Sequence, residues 1–428
     1  MSLNLSSYKG TRDLYPADMR LRQYIFNKWR TAVESFGYEE YMAPTLEPLE
    51  LYAAKSGQEI VNEETYQFED RGGRRVAIRP EMTPSVARMV AARRQETPIP
   101  ARLFSIANFM RYERPQKGRE REFWQLNFDL FGVDNSAADI EILELSHSIV
   151  KAFGATDEMF TLRVNDRRLT NFIMKYYLNL DDSQSGRMIK LLDHRAKISE
   201  ESFVEQVREI APDDADETLA KFDQLLSVTD IPQLPTEILE SSVSNPLGEI
   251  LETLKNLGIS NAKFDLTLMR GFDYYTGIVF EIFDEHPDNR RAMFGGGRYD
   301  GLVGLFGVED MPVVGAAPGE TMFAEFLKSH DLIPELKPAT SLVLIPLGDV
   351  DIMQIANEIR QNNVNVAVDF TNRKVEKKIK SAIKAGAEYV LFIGEDELRE
   401  QTYSLKELST GEENRLTVEQ IIATVSQN

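Results

Sequence analysis

Cysteine is absent from the whole 428-residue chain, which excludes disulfides and thiolate metal sites. Histidine is scarce: His147, His194, His286 and His330 are its four, spread too widely to suggest a histidine zinc site or a Ser-His-Asp triad. No apolar run reaches the roughly 18 residues of a membrane span. The N-terminus has neither the apolar core of a signal peptide nor an arginine-rich transit pattern. These absences predict a soluble cytoplasmic protein without a membrane partner. The length leaves room for roughly two or three domains, each able to bury a core.

A net charge of −20 argues at first against a nucleic-acid partner, since phosphate contacts need cations. Its distribution removes the objection. Residues 198–258 hold 14 Asp and Glu against 3 Lys and Arg, so the acidity belongs largely to one segment. Residues 71–122 hold 13 Lys and Arg against 5 Glu, and residues 371–384 hold 6 against 1.

The first strong periodicity is helical. Leu21, Ile25, Trp29, Ala32, Val33 and Phe36 form one apolar stripe, with Asp18 expected as the cap, Pro16 just outside and Gly37 as the stop. Tyr66 to Ile78 reads as a hairpin around Arg71-Gly72-Gly73-Arg74. Thr83-Pro84 then opens another helix. Residues 168–258 are helical, acidic and punctuated by Pro212, Pro232 and Pro235, which suggests an inserted module. Strands are expected over residues 264–270 and 278–283. A linker at residues 333–338 precedes strands at 341–346, 364–368 and 389–393, alternating with helices near 351–362 and 375–385. That is a small α/β domain.

Two blocks carry the chemistry. Met110-Arg111-Tyr112-Glu113-Arg114-Pro115-Gln116-Lys117-Gly118-Arg119 packs cations into a loop between strands, where guanidinium forks suit phosphate oxygens. So dense a loop repels itself without an anion. The strand that follows alternates: Trp124, Leu126, Phe128 and Leu130 make a core face, and Phe123, Gln125, Asn127 and Asp129 make a floor for a small molecule. The second block is Arg270-Gly271-Phe272-Asp273-Tyr274-Tyr275-Thr276-Gly277. Taken alone it suits a strand end and turn. Gly295-Gly296-Gly297 taken alone suits a bend, and it lacks the Lys-Ser/Thr of a P-loop.

Together with Lys9-Gly10-Thr11-Arg12-Asp13, Arg79-Pro80-Glu81-Met82-Thr83 and Gly296-Gly297-Arg298-Tyr299-Asp300-Gly301, these blocks resemble, in order, the histidyl-tRNA synthetases of class II. The resemblance implies an α+β catalytic domain with an antiparallel sheet over residues 1–167 and 259–330. It implies a helical insertion over 168–258 and an anticodon-binding α/β domain over 339–428. The activity implied is ATP-dependent attachment of L-histidine to tRNA(His) through histidyl-adenylate, by a cytoplasmic homodimer whose interface includes the first helix. Such activation needs alignment and positive charge around the α-phosphate more than a strong base, because the attacking carboxylate is already anionic.

By position, Arg111 and Arg270 match the family's catalytic arginines. Arg111, Glu113, Arg119 and Phe123 match its ATP contacts, with Phe123 stacking on adenine. Glu81, Thr83 and Gln125 match the α-amino site, and Asp129 and Tyr275, with Tyr274 beside them, match the imidazole site. Gln116 matches the reader of the extra 5′ guanine of the tRNA, and Arg373, Lys374, Lys377 and Lys378 offer a basic edge for the anticodon stem. Mg²⁺ is expected as ATP's companion, with no metal cage in the protein and no prosthetic group. One departure stands out: Thr321 falls where the arginine of G-x-G-x-x-R is expected. It keeps open a non-catalytic paralogue, such as the histidine-sensing regulatory subunit of ATP phosphoribosyltransferase. A synthetase for another amino acid is disfavoured by the Tyr-Tyr pair with Asp129.

Overall fold

In the computed structural model, residues 4–53, 64–116, 118–195, 198–268, 275–289 and 291–426 are described. The chain divides into two compact units, one made of Met1–Leu14 and Leu21–Ile333, the other of Tyr15–Arg20 and Pro334–Asn428.

The first unit is built on an eight-stranded sheet. Its strands lie in the order Glu39–Glu40, Ala101–Met110, Glu122–Phe131, Val313–Ala316, Ala292–Arg298, Ile278–Asp284, Phe160–Asp166, Ala262–Phe264. The short outermost strands pair in parallel and every pairing between them is antiparallel. This is an α+β architecture. One sheet face is covered by the helices Pro16–Ser35, Ser136–Lys151 and Glu320–Ser329. There Ile25, Trp29 and Val33 meet Phe104, Leu126, Phe128, Phe160, Phe323 and Phe326 in a continuous core. Each such side chain contributes about 1.5–3 kcal/mol by leaving water.

Local chemistry explains most element ends. Gly37 stops the first helix at φ +81°, which a Cβ would strain. Asp18 lies inside that helix, not before it: Pro16 is its first residue, and the Asp18 carboxylate reaches back to accept the Tyr15 N–H at 3.0 Å. The hairpin forms from Gln67–Glu69 and Arg75–Ile78, with Leu46–Pro48 as a third strand, and its turn is tied by the Asp70 carboxylate. The strand expected at 264–270 is only Ala262–Phe264, because Asp265 turns the chain by accepting the Thr267 N–H. Residues 269–270 lie outside the described set.

Residues 167–256 are helical throughout their regular structure, from Arg167–Phe172 to Asn245–Asn256. Their apolar faces, including Met188, Phe203, Val207, Phe222, Ile250 and Leu254, belong to the same core as the sheet. The insertion is therefore continuous with the first unit and does not stand as a separate body.

The second unit holds a five-stranded sheet in the order Val366–Val368, Leu342–Pro346, Tyr389–Ile393, Tyr403–Glu407, Glu413–Leu416. Its first three strands are parallel, and the two inner ones are buried on both faces: Leu342, Leu344, Leu391 and Ile393 face one core, Ile345, Val390 and Phe392 the other. The antiparallel pair at 403–416 has no counterpart in the sequence reading. Its outer strand is short, charged and exposed, so no apolar alternation marks it.

Candidate active site

The strand Glu122–Phe131 forms the floor. Paired along its length with Ala101–Met110, it sends Leu126, Phe128 and Leu130 into the core and turns Phe123, Gln125, Asn127 and Asp129 to the opposite face. That second face is itself mostly enclosed, with Asn127 5 % and Asp129 4 % exposed.

At one end the two strands continue into the cationic loop. The Arg111 N–H donates to the Arg121 carbonyl at 2.8 Å, Gln116 and Arg119 exchange backbone hydrogen bonds, and Gly118 turns the chain at φ +77°. The Arg111 guanidinium lies 5.3 Å from the Phe123 ring centroid, and its Nε donates to the Pro80 carbonyl at 2.9 Å. Glu113 sits between two arginines, 3.1 Å from Arg119 and 3.9 Å from Arg111. The residues expected at a nucleotide thus converge. The loop is nonetheless not an open cradle of cations held apart by repulsion. Arg121 is buried, stacked 4.0 Å over Tyr112 and bonded to the Glu113 carbonyl and the Tyr8 hydroxyl, so it is spent on holding the loop. Gln116, at the exposed tip, accepts from Arg291 at 2.9 Å.

At the other end Asp129 accepts a hydrogen bond from the Tyr299 hydroxyl through Oδ1, while its Oδ2 is buried with no partner among the described residues. Burial pushes the carboxyl up to about 7, against the lowering effect of the Tyr299 bond. Tyr275 stacks edge-on to Tyr299 at 6.3 Å, and burial, followed by the charges of Glu81, Glu281 and Asp129, drives its phenol pKa upward. Two glycines make this possible. A Cβ on Gly315 would collide with the Asp129 carboxylate, and one on Gly297 would press on the Tyr275 ring. Gly295, Gly296 and Gly297 lie within a strand, correcting the expected bend; they are there for close approach.

The Gly-Arg-Tyr-Asp-Gly block aims Tyr299. Arg298 is buried against Asp139 at 2.9 Å and donates to the carbonyls of Val133 and Asn135. Asp300 accepts the Val313 N–H and the Thr276 hydroxyl. Nothing in the local sequence marks Tyr299 for a role; its place beside Asp129 is a tertiary fact. In the Arg79 block, Arg79 is buried and clamps the Ala43 and Asn108 carbonyls, Glu81 is buried, and Thr83 begins the helix Thr83–Ala92. Gln125 bridges to Gly319. Arg270 and Tyr274 lie outside the described residues.

The substituted arginine position also needs correcting. Counting three residues on from Gly319 ends at Met322 rather than Thr321, and it is the Met322 thioether that lies against Gly118 of the loop. The Thr321 hydroxyl is buried with no hydrogen-bond partner among the described residues. Glu320 is buried between Arg12 at 3.3 Å and Arg22 at 3.2 Å.

In the second unit, Lys374 and Lys377 are exposed at the start of the helix Val375–Ala385 or just before it. Arg373 is tied to Asp369 at 3.1 Å. Lys378 is buried and donates to the Asp369 carbonyl, so it does not belong to an exposed basic edge. Among the described residues no cluster of three His, Asp or Glu side chains is placed to hold a metal, and no helix is long and apolar enough to cross a membrane.

The chain is similar to known proteins along most of its length. Residues 10–318 match the family model for histidyl-tRNA synthetase, and residues 341–428 match that for an anticodon-binding domain. The histidine–tRNA ligase of Leptospira biflexa is 42 % identical over 415 residues, covering 95 % of this chain and 94 % of its own. That of Thermococcus kodakarensis is 34 % identical, covering 98 % of each chain. In fold, the histidyl-tRNA synthetase from Nostoc sp. PCC 7120 superposes with a TM-score of 0.82 at 24 % identity, covering all of both chains. A Bacillus halodurans protein described as an ATP phosphoribosyltransferase regulatory subunit/histidyl-tRNA synthetase reaches 0.75 at 22 % identity, over 92 % of this chain and 100 % of its own.

Proposed function

The chain belongs to the histidyl-tRNA synthetase family, and we propose that it activates L-histidine with ATP and transfers the histidyl group to tRNA(His) on the face of strand Glu122–Phe131. The observation that carries this reading is that one strand face joins a nucleotide end, Phe123 with Arg111 and Glu113, to an imidazole end, Asp129 with Tyr275 and Tyr299. In the activation step a histidine carboxylate oxygen attacks the α-phosphorus, a C–O–P bond forms, and the bond to the β-phosphate breaks to release pyrophosphate. Arg111 neutralises charge on the α-phosphate, and Arg270, by its match to the family, approaches from the histidine side. Glu113 and Arg119 hold the triphosphate and Phe123 stacks on adenine. Mg²⁺ comes with the nucleotide as part of the substrate.

Asp129 accepts one imidazole N–H while a tyrosine serves the other nitrogen, Tyr275 being the one within the described residues and Tyr274 its neighbour in sequence. Glu81, Thr83 and Gln125 take the α-amino group. A terminal ribose hydroxyl of the tRNA then attacks the carbonyl carbon and expels AMP. Gln116 reads the acceptor end. Residues 339–428 bind the anticodon arm, with Arg373, Lys374 and Lys377 supplying cations, and the protein works as a cytoplasmic homodimer. Retention of the Arg-x-Glu-Arg-Pro-Gln-Lys-Gly-Arg loop and of the second unit favours an enzyme over a regulatory paralogue.

Histidine-dependent ATP–pyrophosphate exchange with the Asp129→Asn variant tests the assignment. KM for histidine is expected to rise by about tenfold or more with KM for ATP little changed, because a charged acceptor is replaced by a neutral amide. A rise in KM for ATP instead would reverse the ends of the site.

A further inference from the structure

Among the described residues, four polar atoms on the substrate face are buried without a hydrogen-bond partner: the Tyr41 hydroxyl, Ser105 Oγ, Asn127 Nδ2 and Asp129 Oδ2. Sheet register places them together. Glu39 and Glu40 pair in parallel with Leu103 and Phe104, and the Tyr41 N–H extends that pairing by donating to the Phe104 carbonyl at 2.8 Å. Ser105 stands opposite Asn127, and Leu103 opposite Asp129. Residues opposite one another share a face, and alternate residues of a strand share it too. Tyr41, Ser105, Asn127 and Asp129 therefore occupy two adjoining rows of one face. Tyr41 packs against two apolar clusters, the one that contains Tyr299 and the one that contains Met82 and Phe109.

We infer that Tyr41 is a positioning residue of the histidine pocket: on binding, its hydroxyl and the imidazole N–H both donate to Oδ2 of Asp129, opposite the Tyr299 bond to Oδ1. This rests on the imidazole assignment above. The donor logic is one-sided, since a carboxylate can only accept and a neutral phenol can donate. Burial and then the Asp129 charge hold the Tyr41 phenol well above its ordinary pKa, with Arg79 opposing, so it stays a donor throughout the working range. The other groups that sense Asp129 are the phenols of Tyr38 and Tyr275, and Glu81 and Glu281 in turn face Tyr275. Two donors on one carboxylate oxygen would keep Asp129 ionised with substrate bound, although burial favours its neutral form. A buried donor and a buried acceptor that find no partner among the described residues carry a cost that a ligand bonding them relieves.

The Tyr41→Phe variant keeps the ring and removes only the donor. In pyrophosphate exchange, KM for histidine is expected to rise about tenfold with KM for ATP unchanged. The acid limb of the kcat profile at saturating histidine, which reports the bound complex, should move to higher pH, because Asp129 becomes harder to ionise there without the second donor. An unchanged histidine KM and unchanged limb overturn the inference, and a raised KM with an unmoved limb does so as well, since packing alone would produce it. Asp129→Asn separates the two levels. If that variant leaves the histidine KM untouched, the pocket assignment fails; if it raises KM and Tyr41→Phe does not, only the role of Tyr41 fails.

Discussion

At the nucleotide end of the floor strand the Arg119 side chain is 58 % exposed and meets one carboxylate, while at the histidine end Asp129 is 4 % exposed and enclosed by Tyr299, Gly315 and the Tyr275 side of the pocket. In the proposed reading the first end recognises by charge. Its Arg119–Glu113 pair is open to water on the arginine side, so it contributes little by itself and several cations must act together. The second end recognises by exclusion and unpaired hydrogen-bonding capacity, where a misplaced methyl group or a lost donor is felt in full. A polyphosphate tolerates the first kind of site because it brings several charges. A neutral imidazole, with only two nitrogens to offer, needs the second kind.

Removing Arg111 should have the largest effect, because in the proposed mechanism that cation acts on charge that develops in the transition state. Arg111→Ala is expected to lower kcat for pyrophosphate exchange by about 10²–10³. A loss confined to KM would place Arg111 in ground-state binding only and blur the contrast between the ends. Gly315→Ala attacks the enclosed end through shape. Its new Cβ must displace the Asp129 carboxylate, and overpacking of about 1–3 kcal/mol translates to a rise of about 5- to 150-fold in KM for histidine, with KM for ATP near wild type. Equal changes in both constants would show that the two ends are not independent.

Acidity should divide the ends too. Asp129 is raised to about 7, so below that pH it becomes neutral, loses its acceptor role, and kcat/KM for histidine falls by about tenfold per pH unit. Free histidine titrates nearby, at about 6.5. The limb that disappears in Asp129→Asn is the enzyme's own. KM for ATP should stay flat across the same range, and a matching limb there would mean that Asp129 is coupled to the nucleotide. The smallest effect belongs to Arg119→Ala. Its exposed pair with Glu113 predicts only a few-fold rise in KM for ATP, shrinking further as ionic strength is raised. An effect that survives about 0.5 M salt would show Arg119 to be desolvated when ATP is bound.

What the sequence showed best were features written over a few neighbouring residues. The alternation in 122–131 separated floor from core, the Gly-rich turn at 71–74 marked its hairpin, and Thr83-Pro84 marked a helix start. It misled where the outcome depended on a distant partner. The cation count of 111–121 overstated the charge available to a ligand, because Arg121 is absorbed by Tyr8 and Tyr112. Three glycines at 295–297 resembled a bend until the neighbouring strands and Tyr275 showed what a Cβ would strike. Lys378 counted as a surface cation, yet its ammonium is drawn to the Asp369 carbonyl.

The sequence by itself determined the family, the order of the elements and the chemical types gathered on the floor strand, because periodicity and ordered motif blocks are properties of neighbours along the chain. Only the tertiary structure decided which of those groups are left over. Tyr299 joins Asp129 across 170 residues, Met322 rather than Thr321 meets the loop, and the Tyr41 hydroxyl and Asp129 Oδ2 are each buried with no partner among the described residues. Whether a buried polar group is satisfied depends on everything packed around it, and that sum is taken only when the sheet closes.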